Sequence, residues 1–272
     1  MSTGLASVLR TAFGNGEPAA RVLITRARGS TPREAGAAML VTAHGIHGTI
    51  GGGTLEWGAV ARARTLLAGG EAPVDLEMPL GPALGQCCGG HVSLRIERAD
   101  ARVLREIEAA EQAEQAAMPL VLMFGAGHVG QALARALAPL PLRLRWIDGR
   151  PEEFGSAIPD GVEAVVTDAW EREIGYAPSD AACLVLTHSH ALDAWITAAA
   201  LERGDFAYVG LIGSRSKRRR FERAFREIGL PLERVARLVC PIGDRGVRDK
   251  RPAVIAALAA AELVEVFATH TA

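Results

Sequence analysis

Two adjacent thiols beside a glycine pair, Gln86-Cys87-Cys88-Gly89-Gly90, are the residues of this chain best equipped for chemistry. A thiolate is both a nucleophile and a soft ligand. Successive side chains of an extended segment point to opposite faces, and a disulfide between neighbours demands a strained placement of the two Cβ atoms. At most one of Cys87 and Cys88 therefore faces a given site, while the following glycines let backbone approach a ligand closely. The plainer reading is a pair of small buried hydrophobes at a turn, since free cysteine is among the most buried residue types.

A second candidate is Gly125-Ala126-Gly127-His128-Val129-Gly130. An apolar run, Leu120–Phe124, leads into it and a helical pattern, Val129–Leu137, begins inside it. Gly125 permits the tight turn, Gly127 admits a phosphate to the helix N-terminus, and Gly130 allows close helix–sheet packing. The next apolar run ends at Trp146-Ile147-Asp148, which puts an acid where a ribose-binding carboxylate would stand. This context predicts a Rossmann-like fold; it does not by itself establish a nicotinamide enzyme, because fold does not fix function. His128 is placed either to meet an anionic ligand or to face solvent at a helix start.

Three further clusters carry polar chemistry. Thr187-His188-Ser189-His190-Ala191-Leu192-Asp193 follows an apolar run and so stands at the carboxyl edge of a sheet. It superficially resembles the HxHxDH pattern of metallo-β-lactamase-like hydrolases but has Leu192 and Asp193 where Asp and His belong. With no clear partner ligands elsewhere, ligand contact by His188 and His190, or helix capping, is expected over a zinc shell. Gly213-Ser214-Arg215-Ser216-Lys217-Arg218-Arg219-Arg220 opens a helix, and its first residues Ser214, Arg215 and Lys217 are candidates to grip phosphate; Arg218 to Arg220 read as a solvated face. In the N-terminal half, Arg28-Gly29-Ser30-Thr31-Pro32-Arg33 and Gly51-Gly52-Gly53-Thr54-Leu55-Glu56 form two loops. Arg33 could meet an anion, Gly52 and Gly53 could offer it backbone N–H groups, and Glu56 could hydrogen-bond a polar heterocycle. Close-packing turns are the competing reading.

The elements that must position these residues fall into two halves. At 272 residues, 49% hydrophobic and with a formal net charge of −1, the chain has material for two domains and no basic excess for nucleic acid. No export signal heads the sequence and no uncharged stretch reaches the length of a membrane span, so four cysteines suggest reduced thiols in the cytoplasm. Residues 1–100 read as short strands (Arg21–Arg26, Ala38–Thr42, Val74–Leu80, His91–Glu97), a hairpin turn at 43–48 and a helix at Thr54–Leu67. Residues 101–118 read as a connecting helix rich in Ala, Glu and Gln. Residues 119–272 alternate β-like runs (Leu120–Phe124, Leu142–Ile147, Glu163–Val166, Cys183–Thr187, Tyr208–Ile212, Val235–Val239) with helical patterns (Val129–Leu137, Leu192–Arg203, Ser216–Ile228, Pro252–Phe267). The fold class predicted is α/β: a C-terminal Rossmann-like parallel sheet plus a smaller N-terminal α+β domain.

Taken in order, the segments at 28–33, 51–56, 86–90, 125–130, 146–150, 187–190, 211–217 and 241–243 form a set. By them the chain, from about residue 5 to 267, resembles the xanthine dehydrogenase accessory protein family, XdhC, with its CoxI relatives. The segment 244–250 is more charged than the family pattern leads one to expect. The resemblance implies a molybdenum-cofactor chaperone. Such a protein binds molybdopterin as cargo, holds it while a cysteine desulfurase supplies the terminal sulfido ligand, and delivers it to apo-xanthine dehydrogenase or a related molybdenum hydroxylase. On this view Cys87 or Cys88 meets molybdenum or the sulfur in transfer, and Gly125, Gly127, Gly130 and Asp148 line a cleft. An NAD(P)-dependent oxidoreductase is the alternative and a metal-dependent hydrolase the third reading. No nucleic acid or membrane partner is expected, and a homodimer through the Ala-rich C-terminal helix is.

Overall fold

The computed structural model describes residues 4–69, 73–80 and 89–270. The chain divides into two compact units, Met1–Ala116 and Ala117–Ala272. Cys87 and Cys88 lie outside the described residues.

The first unit is built on an antiparallel five-stranded sheet of order β3-β2-β1-β5-β4. Its strands are β1 (Ala19–Arg28), β2 (Ala38–Thr42), β3 (Ile46–Gly48), β4 (Val74–Pro79) and β5 (His91–Arg98). Period-two alternation along β5 buries Val92, Leu94 and Ile96 on one face and turns Ser93 and Arg95 away. Helix α2 (Gly53–Leu67) covers that apolar face with Leu55, Ala59, Ala63 and Leu66. On a second side α1 (Leu5–Gly14), absent from the sequence reading, packs Ala6 and Leu9 against Val103 and Ile107 of α3 (Ala101–Ala117). The helix expected as a connector thus packs within the first unit. Beneath it lies a buried charge network: Arg21 bonds Glu97 and, at 2.8 Å, Glu106, while Arg102 reaches Glu97 at 2.7 Å. Arg21 and Glu97 are 6% and 2% exposed, so each is the other's main compensation for lost water.

The second unit holds a parallel six-stranded sheet of order β11-β10-β9-β6-β7-β8. These strands are β6 (Leu120–Phe124), β7 (Arg143–Asp148), β8 (Val162–Val166), β9 (Ala182–Val185), β10 (Tyr208–Leu211) and β11 (Leu238–Val239). Counted from β6, this is the 3-2-1-4-5-6 order of doubly wound nucleotide-binding folds. Strands β6 and β9 are buried along their whole length, as a sheet covered on both faces requires. Helices α4 (His128–Leu137) and α9 (Pro252–His270) cover one face; α6 (His190–Arg203) and α7 (Arg215–Glu227) cover the other. Two short helices, α5 (Trp170–Tyr176) and α8 (Leu232–Ala236), complete the unit. The run expected as a strand at 235–239 is helical through Ala236, because the turn that opens after Pro231 buries Val235, and only Leu238–Val239 pair with β10. By length and composition α9 is apolar enough to cross a membrane, although Glu262 and Glu265 interrupt its apolar run. It docks on this unit by burying Ala256, Ala259 and Leu263, and its Glu262 accepts hydrogen bonds from the Tyr208 hydroxyl and the Gly243 amide.

Candidate functional site

The carboxyl ends of β6, β7, β9 and β10 gather the second unit's candidate residues. Gly125 has φ +118°, and a Cβ there would lie 2.2 Å from the Leu186 carbonyl oxygen. A Cβ on Gly130 would lie 2.2 Å from the Gly125 carbonyl oxygen. Both glycines are thus demanded by backbone packing. Gly127 is different: nothing stands within 4 Å of where its Cβ would be. That open space adjoins the N-terminus of α4, where unpaired amides favour an anion. His128 is the first residue of α4 and is exposed.

Asp148 ends β7 where the sequence placed it, but its carboxylate is engaged. It accepts from the Ala126 amide (2.8 Å), the Arg150 amide (3.0 Å), Arg150 Nε (3.0 Å) and Arg150 Nη2 (2.9 Å). Burial pushes its pKa up, yet the Arg150 guanidinium and the two amides outweigh that and hold it below the usual carboxylate range. A ribose diol would have to displace Arg150.

Between the ends of β9 and β10 lies a cavity of about 560 Å³ lined by Thr187, His188, His190, Ser214, Lys217 and Arg220, among others. Serines cap the two helices that border it. Ser189 Oγ accepts from the Leu192 amide at 3.4 Å, and Ser214 Oγ from the Lys217 amide at 3.2 Å. Lys217 is fixed from below: Nζ lies 2.6 Å from Asp193 Oδ2 and 3.0 Å from the Ile212 carbonyl oxygen. Asp193, 1% exposed, also accepts from the Thr187 amide (3.0 Å) and hydroxyl (2.8 Å). An ammonium has three donors, so Lys217 keeps one beyond these two contacts. With Arg220, two imidazoles and two helix N-termini, the cavity is equipped to hold a phosphate-like anion.

Arg215 does not line this cavity; it is exposed and reaches Asp244 at 3.4 Å. Arg220, which the sequence assigned to a solvated face, takes that place. Its signal was the three-residue helical spacing from Lys217, which puts both on one side of α7. The buried Cys240 thiol, 3.9 Å from the Ser214 carbonyl oxygen, is pushed up in pKa by burial. Among the described residues no group of three or more His, Cys, Asp or Glu is placed to hold a metal ion.

A smaller cavity of about 200 Å³ shares Thr187 and His188 with the first. It sits where the strand order reverses, between β6 and β9, the position at which ligands of such sheets bind. Ile147, Trp170, Leu192 and Ile196 supply apolar walls, and Asp148, Arg150 and Asp168 supply charge. Asp168 and Trp170 were not singled out from sequence, and Arg150 stood there only as the end of the 146–150 segment.

In the first unit the N-terminal motifs meet at one edge. A Cβ on Gly90 would lie 2.3 Å from the Ser30 carbonyl oxygen, and one on Gly51 would lie 2.4 Å from Pro32 Cγ. The loop at 28–33 therefore touches both the end of the cysteine–glycine segment and the triple-glycine loop. Glu56 Oε1 accepts from the Ile50 and Gly52 amides, each at 2.9 Å, and from the Thr49 hydroxyl. Burial raises the Glu56 pKa and these bonds more than reverse it, leaving it lowered. The carboxylate expected to fix a heterocycle thus holds its own loop, and the Gly52 amide expected to meet an anion is engaged by it. Gly53 begins α2 with φ +65°, and Arg33 is exposed. On the outer sheet face Arg26, Arg28, Glu77, His91 and Ser93 line a cavity of about 440 Å³, with His91 Nε2 2.5 Å from Glu77 Oε2.

Comparison with known proteins follows this division. A family model described as the XdhC Rossmann domain matches residues 121–263, and one described as the XdhC and CoxI family matches residues 12–76. The chain is 29% identical over 276 residues to the uncharacterized protein YqeB of Escherichia coli (strain K12). That alignment takes in 92% of this chain and 43% of YqeB, so the chain spans less than half of that relative's length. A crystal structure described as a xanthine dehydrogenase from Bacillus halodurans superposes with a TM-score of 0.75 at 18% identity, covering 98% of this chain and 96% of that one. At that identity the likeness is one of fold.

Proposed function

This chain belongs to the XdhC and CoxI family, and from that premise we propose that it is an accessory protein that carries the molybdenum cofactor as cargo. Membership supports a role in the maturation of xanthine dehydrogenase. The finer reading is that the chain holds molybdopterin while a cysteine desulfurase supplies the sulfido ligand, then passes it to apo-xanthine dehydrogenase or a related molybdenum hydroxylase. The observation that carries it is the cationic cavity under α6 and α7, where Lys217, held by Asp193, stands with Arg220 to receive a phosphate. Soft thiolates suit a sulfur-rich molybdenum centre, which assigns that contact to Cys87 or Cys88. Reduced thiols at these positions suit a cytoplasmic protein.

The oxidoreductase alternative gains nothing from this geometry. Arg150 occupies the carboxylate that would bind ribose. The test is reconstitution without oxygen: apo-xanthine dehydrogenase, molybdopterin with molybdate, desulfurase and cysteine, with and without this chain. Activation that requires the chain and fails with Cys87→Ala or Cys88→Ala supports the reading. Activation indifferent to the chain, or steady turnover of NADH by the chain alone, contradicts it.

A further inference from the structure

We infer that the small cavity at the strand-order reversal reads the pyrimidine edge of a fused heterocycle through Asp168, while the neighbouring cationic cavity takes a phosphate joined to that heterocycle. The shared chemistry is a ring N–H beside an exocyclic amine, as in a 2-amino-4-oxopteridine or a guanine, plus a phosphate monoester. The inference rests on the reading above only for the choice of the pteridine.

Two carboxylates line this cavity, and they are not equivalent. Asp148 is filled by Arg150 and the Ala126 amide. Asp168 is exposed and carries no hydrogen bond or ion pair from the described residues. Its position depends on Gly149: a Cβ there would lie 1.9 Å from Asp168 Oδ1. Half-buried Trp170 with Ile147, Leu192 and Ile196 gives the slot apolar walls, and Thr167, Thr187 and His188 also line it. Apolar walls with a few convergent polar groups are the usual form of a small-molecule site. A carboxylate offers two acceptors in one plane, which match two parallel N–H donors. Adenine presents a donor beside an acceptor on the same edge and leaves one oxygen opposed. Hypoxanthine lacks the amine and leaves one oxygen bare. Because Thr187 and His188 belong to both cavities, the two adjoin, and a substituent on a ring in the slot has a route to Lys217 and Arg220.

Binding of GMP, IMP, AMP, XMP and neopterin monophosphate to the full chain, measured by titration calorimetry, tests this. GMP is expected to bind about tenfold tighter than IMP or AMP, the cost of one unmade charge-assisted hydrogen bond. In Asp168→Asn, one acceptor becomes a donor, so GMP affinity falls by about tenfold and XMP, with a carbonyl in place of the amine, gains. Gly149→Ala displaces the carboxylate and weakens GMP and neopterin monophosphate while circular dichroism stays unchanged. Arg220→Gln weakens every phosphate-bearing probe alike and leaves their ranking intact. GMP, IMP and AMP binding within twofold of one another, Asp168→Asn leaving the ranking unmoved, or no probe binding would each overturn the inference. Asp168-dependent GMP binding without neopterin monophosphate binding would uphold the ring-edge reading and count against a pterin cargo.

Discussion

Asp148 and Asp168 border one slot, and the difference between them is a guanidinium. Arg150 holds Asp148, so Arg150→Ala should free the ribose position. The expected result is a gain of about tenfold in NADH affinity, of the order of a released charge-assisted hydrogen bond, read by nucleotide fluorescence. Acid stability follows from the same bonds. Asp148, Glu97 and Glu56 all have folded pKa values below the usual carboxylate range. Their stabilisation is complete above the unfolded values near about 4 and is lost as pH falls through the folded ones. The chain should therefore lose stability below about pH 4, and Arg150→Ala should flatten that loss in an acid-denaturation series. Glu97→Ala is predicted to cost about 2–3 kcal/mol in urea unfolding, because the buried Arg21 would keep only the half-exposed Glu106 as partner; Arg21→Met with Glu97→Met should cost less. Residue types and chain positions were legible in the sequence for Asp148, Lys217 and Glu56. What each side chain already holds was not, because Arg150, Asp193 and the 49–52 loop satisfy them through contacts that spacing does not reveal.

At the scale of elements, the fingerprint's three glycines have separate duties. Gly125→Ala and Gly130→Ala should each lower the melting temperature sharply, since both collide with backbone. Gly127→Ala should leave it within a few degrees, a surface-like change. Equal losses of stability at all three would contradict this division. The alternation of β-like and helical patterns made the parallel sheet readable from sequence, because buried strands are continuous apolar runs with helices between them. Short elements escaped: α5 buries only Ile174, too little to leave a periodic signal. The turn before β11 reads as a strand because Val235 and Leu238 are both apolar and both buried. The cavity-lining role of Arg220 was hidden by the basic run around it, although its spacing from Lys217 was in plain view.

Taken whole, the chain is two units with separate cores, and the second carries apolar clusters on both faces of its sheet. Residues 117–272 expressed alone should therefore melt cooperatively and retain the nucleotide preferences argued above; a fragment without a thermal transition would contradict that. The division between halves was visible in the rhythm of the sequence. The long helix at 101–117 was harder to assign, since Val103 and Ile107 are its only buried apolar anchors. A carrier of the molybdenum cofactor, as proposed above, is recognised by counting its cargo. Protein isolated without oxygen from a molybdopterin-producing host would be analysed for oxidised-pterin fluorescence and for molybdenum. Near-equimolar pterin, reduced in Lys217→Gln and in one of Cys87→Ala and Cys88→Ala, is the predicted result. Protein free of pterin under those conditions, with bound NAD in its place, would contradict the account.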